Sequence, residues 1–239
     1  MKVTKTVKID SHGLAVTLVP RRNCLRVVMR ATPEGARFSV PYGMDFESLE
    51  PILRRMLTEH ADKLRPAPLY TRGQIIETSF GSIAITSGAG GRGLRLRETQ
   101  AGFEICVSPA LDIASRPVIL AIANGLKQIG TLLVRRHILD EARQIAIEIG
   151  AGMPHSWTVG HGRSTFGTCR RRGTATEISL SYTMAFLPAD LRRYIVCHEL
   201  AHLREMNHSP RFHTLCNAYC GGLEADLSRR LRHHPLPLP

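Results

Sequence analysis

His198-Glu199-Leu200-Ala201-His202 sets two imidazoles four residues apart, with a carboxylate beside the first. On a helix, residues i and i+4 project from one face about a turn apart, so both rings can reach one metal ion. Glu199 then points slightly aside, where it can take a proton from a water that the metal activates. Zinc at such a site brings that water's pKa toward about 7 and polarises a scissile carbonyl, and hydrolysis near neutral pH needs both effects.

A catalytic zinc typically has three protein ligands and one open position. His208 stands six residues after His202. For it to fold back, the helix must end near Met206-Asn207, and asparagine tolerates the left-handed backbone that ends helices. His213 and Glu224 are the competing third ligands. The expected site is therefore one Zn2+ per chain on His198, His202 and His208, with Glu199 as the catalytic base. Tyr182 and Tyr194 are the candidates for stabilising the oxyanion.

The elements that must position these groups are legible in part. Leu187-Pro188-Ala189-Asp190 opens a helix, since proline is tolerated in a first turn, and this helix is expected to run through Glu205. Its Tyr194-Ile195-Val196-Cys197 stretch is apolar, which buries the two histidines, and burying them without partners is costly. Ser209-Pro210 is a cap-plus-proline signal for a following helix. Upstream, residues 115–149 read as one long helical stretch with a break at Gly130, ended by Gly150-Ala151-Gly152-Met153-Pro154. Short strands are expected at Ser156–Val159, Arg163–Cys169 and Glu177–Tyr182.

The first 110 residues read as β-rich with one helix. Strand candidates are Leu14–Val19, Leu25–Met29 and Arg37–Val40, the last following a Pro33-Glu34-Gly35 turn signal. A helix from Asp45 to Leu64 follows, with Phe46, Leu49, Ile52, Leu53, Met56 and Leu57 at helical spacing. After a connector at 65–72 come strands at Ile75–Thr78, Ile83–Thr86, Leu94–Arg97 and Phe103–Val107, with a glycine-rich hairpin loop at Ser87–Gly93. No internal repeat is evident. The domain expectation is 1–110 β-rich, 111–232 a metallohydrolase core, and 233–239 a disordered tail.

Composition narrows the partners. The net charge is +12, nearly all of it arginine, and it is spread along the chain. A solvated basic surface accounts for this, and nucleic acid or a nucleotide is the sharper alternative. No run approaches 18 apolar residues, so no membrane partner is expected. The six cysteines are scattered without a CxxC pair, and no apolar signal segment opens the sequence. Both point to reduced thiols and the cytoplasm.

His198-Glu-Leu-Ala-His-Leu-Arg-Glu-Met-Asn-His-Ser-Pro-Arg-Phe212 resembles the signature of the YgjP-like metallopeptidases, relatives of the SprT and WLM proteases in the wider zincin group. That family's pattern is HELxHL followed by NHSxxFW. Its histidines fall on His198, His202 and His208 and its glutamate on Glu199. Phe166-Gly167-Thr168-Cys169 is similar to the family's WGSC-like segment and Ile178-Ser-Leu-Ser181 to its ISLN-like strand. Ala36–Gly43 resembles its leading β-rich region. Two departures stand out: His213 replaces the tryptophan after Phe212, and Phe166 and Thr168 replace the tryptophan and serine of WGSC. The resemblance implies an α+β fold with a zincin-like core: a long helix, a small β-sheet and the HExxH helix.

Two activities compete on these residues. A zinc metallopeptidase would bind an extended peptide or protein substrate on an exposed strand edge, with Ile178, Ser179, Leu180 and Ser181 as the candidate edge. A metal-dependent nucleotide or phosphoester hydrolase would use Arg170–Arg172 and Arg204 on phosphate. A protease acting on DNA-bound proteins would put the same charge on nucleic acid.

Overall fold

The computed structural model describes residues 3–9, 12–32, 35–60, 69–88, 93–163 and 165–239. The chain is mixed α+β and divides into two compact units, one ending at Leu69 and one running from Tyr70 to Leu238. The division falls at 69/70 rather than 110/111 because the second sheet packs with the helices that follow it. The Pro33-Glu34 turn, most of the glycine loop, the last four residues of the helix expected at Asp45–Leu64 and residues 65–68 of the connector lie outside the described residues.

The first unit is a four-stranded sheet in the order β1-β2-β4-β3: Val3–Ile9, His12–Arg21, Gly35–Pro41 and Val28–Thr32. Two antiparallel hairpins join through the parallel pair β2–β4. Helix α1, Phe46–Glu59, covers one face. Its Leu49, Leu53 and Leu57 recur at i, i+4 and i+8 and pack on Val16, Leu18, Ala36, Phe38 and Val40, all buried. Asp45 caps the helix by accepting from the Ser48 backbone N–H at 2.8 Å. The strand expected at Leu25 begins only at Val28, and Leu25 itself is 96% exposed.

The second unit opens with the same topology. Strands β5 (Ile75–Thr78), β6 (Gly81–Ser87), β8 (Gly102–Val107) and β7 (Leu94–Thr99) lie in the order β5-β6-β8-β7, again two hairpins joined by a parallel central pair. The register of the last three strands repeats as well. Ala15 faces Gly35 as Ser82 faces Gly102, and Val28 faces Ser39 as Arg95 faces Cys106, each an offset of 67 positions. At that offset Arg30, Thr32, Gly35, Val40, Asp45 and Ser48 meet identical residues at Arg97, Thr99, Gly102, Val107, Asp112 and Ser115. The sequence therefore does contain an internal repeat, two ββββα modules. It escapes a reading by periodicity because sheet cores demand only alternation, so the paired positions Phe38 and Ile105 need not be identical.

Helix α2 (Arg116–Leu133) covers the second sheet and runs on without interruption through a π-helical segment, Val134–Ile138, into α3 (Leu139–Glu148). This run is long and apolar enough by length and composition to cross a membrane, but its apolar residues Ile122, Leu126, Ile129, Val134 and Ile138 are core. Gly130 does not break the helix. A β-carbon there would lie 2.7 Å from the Tyr182 carbonyl oxygen, so glycine lets the 3-10 turn Tyr182–Phe186 pack directly on α2.

A third sheet holds β9 (Ser156–Gly160), β10 (Gly167–Arg172) and β11 (Ala175–Ser181) in the order β10-β11-β9. Helices α4 (Ala189–Ala201), α5 (Pro210–Tyr219) and α6 (Glu224–His233) follow. Arg192, 4% exposed, ties α4 to the rest: it donates to Glu141 Oε2 at 3.1 Å, to Ser79 Oγ at 2.9 Å and to the Leu187 carbonyl at 2.8 Å. The tail expected to be disordered has a defined course. Tyr70 Oη donates to the Pro237 carbonyl at 3.0 Å, and His234 to Pro237 line a cavity of about 600 Å³ with Ile75, Ile76 and Phe186.

Candidate metal centre

Helix α4 carries the His-Glu-Leu-Ala-His run on its last turns. It ends at Ala201, four residues earlier than its composition suggests, with His202 as C-cap. The chain then turns, with the Leu203, Arg204 and Glu205 N–H groups donating to Leu200 and Ala201 carbonyls. Ser209 caps α5 by accepting from the Phe212 N–H at 3.3 Å, and Pro210 sits in its first turn, as the cap-plus-proline signal required. His208 is thus held between two helix ends, and it does fold back. Arg171 on β10 donates to the Leu203 carbonyl at 2.6 Å and Arg211 pairs with Glu205 at 3.3 Å, both pinning the turn.

The three histidines come together. One ring nitrogen from each of His198, His202 and His208 lies within 4.8 Å of the others, and His198 Nε2 is 3.1 Å from His208 Nε2. Beneath them lies Phe212, fully buried, with its ring centroid 4.9 Å from His198, 4.4 Å from His202 and 4.8 Å from His208. Phe212 was quoted in the sequence motif only as a family marker; it is the apolar floor that sets the spacing of the rings.

The electrostatics suit a cation. Burial, reinforced by His202 and His208, pushes the His198 pKa down to about 4, and burial also lowers that of His202. Burial thus favours the neutral form of His198 and His202, the form that keeps a ring lone pair. His202 Nδ1 sits 3.0 Å from the Glu205 carbonyl. That contact selects the Nδ1–H tautomer and leaves Nε2 as the donor atom, the arrangement metal-binding histidines use. His198 Nδ1 is buried with no hydrogen-bond partner among the described residues. Three ring nitrogens within 4.8 Å of one another and an unsatisfied buried imidazole are the features of a donor set that fits a divalent ion.

Glu199 is 5% exposed. Burial drives its pKa up to about 8, opposed by a hydrogen bond from the Cys169 backbone. Its carboxylate lies over Gly167 of β10: a β-carbon there would sit 2.6 Å from Glu199 Cγ and 2.7 Å from Oε1. Glycine is therefore required for the close approach of strand and carboxylate. Sequence reasoning quoted Gly167 without giving it a role, although a glycine inside a strand is a signal of such an approach.

Other expectations are corrected. Ile178–Ser181 is not a strand edge, because β11 is central and pairs with both β10 and β9. Ile178 and Leu180 are fully buried, while Ser179 and Ser181 line a cavity of about 240 Å³ with Gly167, Thr168 and Arg170. The edge strand beside Glu199 is β10. His213 Nδ1 lies 2.7 Å from Glu224 Oε1, so the two competing ligands are paired with each other, with the His213 ring 6.3 Å from that of His208. Arg204 donates to the Gly150 carbonyl at 3.4 Å. Tyr182 is buried against α2, and the Tyr194 hydroxyl is engaged with Ser228, its pKa raised chiefly by burial. The Tyr194 ring stands edge-on to His198, with centroids 6.1 Å apart, while its hydroxyl is taken by Ser228.

An α+β unit that gathers three imidazoles beside a buried carboxylate has the donor set of a metal-dependent hydrolase. Residues 121–234 match the family model of the YgjP-like metallopeptidase domain, in agreement with the resemblance carried by the motif. The match begins inside α2, so both ββββα sheets lie outside it. No curated protein and no solved structure matches the chain.

Proposed function

We propose that the protein is a zinc-dependent peptidase with a zincin-like core, in which His198, His202 and His208 hold the metal and Glu199 is the general base. The observation that carries this reading is the convergence of the three histidines within 4.8 Å beside a buried glutamate. Zinc, when bound there, supplies a Lewis acid that acidifies water and polarises a carbonyl.

The chain's own residues supply the rest. Glu199 accepts the proton from the attacking water and returns it to the leaving amine, and its buried position raises its basicity for that task. The edge strand β10, beside Glu199, offers unpaired backbone groups, on which an extended peptide can add as a further strand. His213, steadied by Glu224, is the side-chain donor for the developing oxyanion. An edge strand recognises a peptide backbone and has no use in phosphoester hydrolysis, so the peptidase reading is preferred.

The test is a hydrolysis screen of the zinc-loaded protein against casein, peptide libraries and nucleoside triphosphates, with Glu199→Gln as control. Peptide cleavage that the variant loses by about 10²–10⁴-fold is expected. Turnover of triphosphates alone, or equal turnover by the variant, overturns the reading.

A further inference from the structure

Among the positions at which the two ββββα modules differ is a charged cross-strand pair on their open faces. In the second sheet, Arg97 lies opposite Glu104 and the two form an ion pair at 2.6 Å. The matching pair in the first sheet is Arg30 opposite Arg37. Both arginines are exposed, on the face away from α1, and neither has an ion-pair partner among the described residues. Like charges directly opposite each other on neighbouring strands destabilise a sheet. The second module shows that a neutralised pair fits the same register.

The surroundings reinforce the contrast. Residues 1–44 carry eight Lys or Arg against two acids, whereas residues 45–69, which contain α1, carry four against five. The surplus therefore lies in the segment of sequence that contains the strands. Thr17 faces Arg37 on β2, and Ser39 lies beyond it on β4, both half-buried, so the arginines stand on a shallow floor of small side chains. At the end of the parallel pair, Tyr42 is 67% exposed and the Arg22 guanidinium stands 5.5 Å from its ring centroid. The second module has Pro109 at the position of Tyr42.

We infer that the open face of the first sheet, centred on Arg30 and Arg37 with Tyr42 at its edge, binds single-stranded nucleic acid. The arginines meet backbone phosphates, and Tyr42, exposed in the turn just past β4, is a ring on which a base of a strand running on beyond the sheet can stack. A flat sheet with cations and an exposed aromatic is how single strands are held without sequence preference. An acidic peptide would use the charge but not the aromatic.

The experiment is fluorescence anisotropy of a labelled 20-nucleotide poly(U) or poly(dT) strand with the full chain, across a salt series. Expected are saturable binding and a steep fall of affinity with salt. In Arg30→Gln/Arg37→Gln, affinity should fall at least tenfold and the log–log salt slope should drop by roughly 1.4, about 0.7 per lost phosphate contact. Arg37→Glu installs the charge pattern of the second module, so its melting temperature should hold or rise while binding is lost. That combination separates a binding role from a structural one. Tyr42→Ala should weaken binding with an unchanged salt slope. Arg54→Gln and Arg55→Gln on α1 should leave binding intact. Absence of binding at low salt, unchanged affinity in the double variant, or equal competition by poly-aspartate would each overturn the inference.

Discussion

Gly167 and Glu199 occupy one space: the position a β-carbon would take on Gly167 is 2.6 Å from Glu199 Cγ. Strand β10 and helix α4 are brought this close by Arg171, which reaches from the strand to the carbonyl of Leu203 just past the helix end. The glycine leaves room for the buried carboxylate, and the strand backbone then supplies the Cys169 hydrogen bond that partly offsets its burial. The arrangement gives Glu199 a defined position without a second charged residue to hold it.

Gly167→Ala should therefore damage activity while sparing the metal. The three histidines do not touch Gly167, so metal content and far-UV circular dichroism should match the wild type. A displacement of Glu199 by about an ångström is expected to lower kcat on the order of 10²-fold. Wild-type turnover in this variant would show that Glu199 does not depend on the strand.

The pH dependence of stability in chelator-treated protein should carry the signature of Glu199. Its folded pKa is raised from 4.5 to about 8. Between those values the folded chain keeps a proton that the unfolded chain has lost, so this contribution is whole below about pH 4.5 and is lost as pH rises through about 8. His198 acts in the other sense. Its pKa falls from 6.5 to about 4, so its neutral burial favours folding at high pH and is penalised as pH falls through that range. Denaturant melts of wild type and Glu199→Gln at pH 5 to 9 check this. Wild type should lose stability relative to the variant between about pH 5 and 8, and parallel curves would contradict the burial.

Arg192 should matter more to stability than any surface ion pair. Arg192→Met removes a buried guanidinium and leaves Glu141, Ser79 and the Leu187 carbonyl without their donor. Glu141 is 28% exposed and can partly rehydrate, so the expected cost is about 3 kcal/mol. A domain of this size would then melt on the order of 10 °C lower. Arg143→Met, on an exposed pair with Asp140, is the control and should change little.

His213→Ala separates metal binding from turnover. His213 is paired with Glu224 and stands apart from the cluster, so a chelator titration should give wild-type metal affinity. With its donor to the oxyanion gone, kcat should fall about 10–10²-fold with little change in KM. Loss of metal in this variant would transfer the third-ligand role away from His208.

The site was more legible than the sheets around it. Four residues of spacing place His198 and His202 on one helix face, and Ser209-Pro210 marks the helix start that swings His208 back. Local chemistry writes both signals. Asp45 with Leu49, Leu53 and Leu57 announced α1 in the same way. The central place of Ile178–Ser181 was not readable, because strand order is decided by pairing partners distant in sequence. Ile178 and Leu180 alternate with Ser179 and Ser181 just as an edge strand would. The early end of α4 at Ala201 also escaped, since His202 bonds the Glu205 carbonyl in a turn that composition does not distinguish from helix. Gly130 reads as a breaker in isolation, and only the approach of Tyr182 explains it.

Metal content is the most direct measurement of the central claim. Protein purified without a histidine tag and dialysed after zinc supplementation should hold one zinc per chain by elemental analysis. His198→Ala, His202→Ala and His208→Ala should each lower the affinity by orders of magnitude in a competing-chelator titration. Zinc far below one equivalent in the wild type, or one equivalent retained with wild-type affinity when any of the three is removed, would contradict the account.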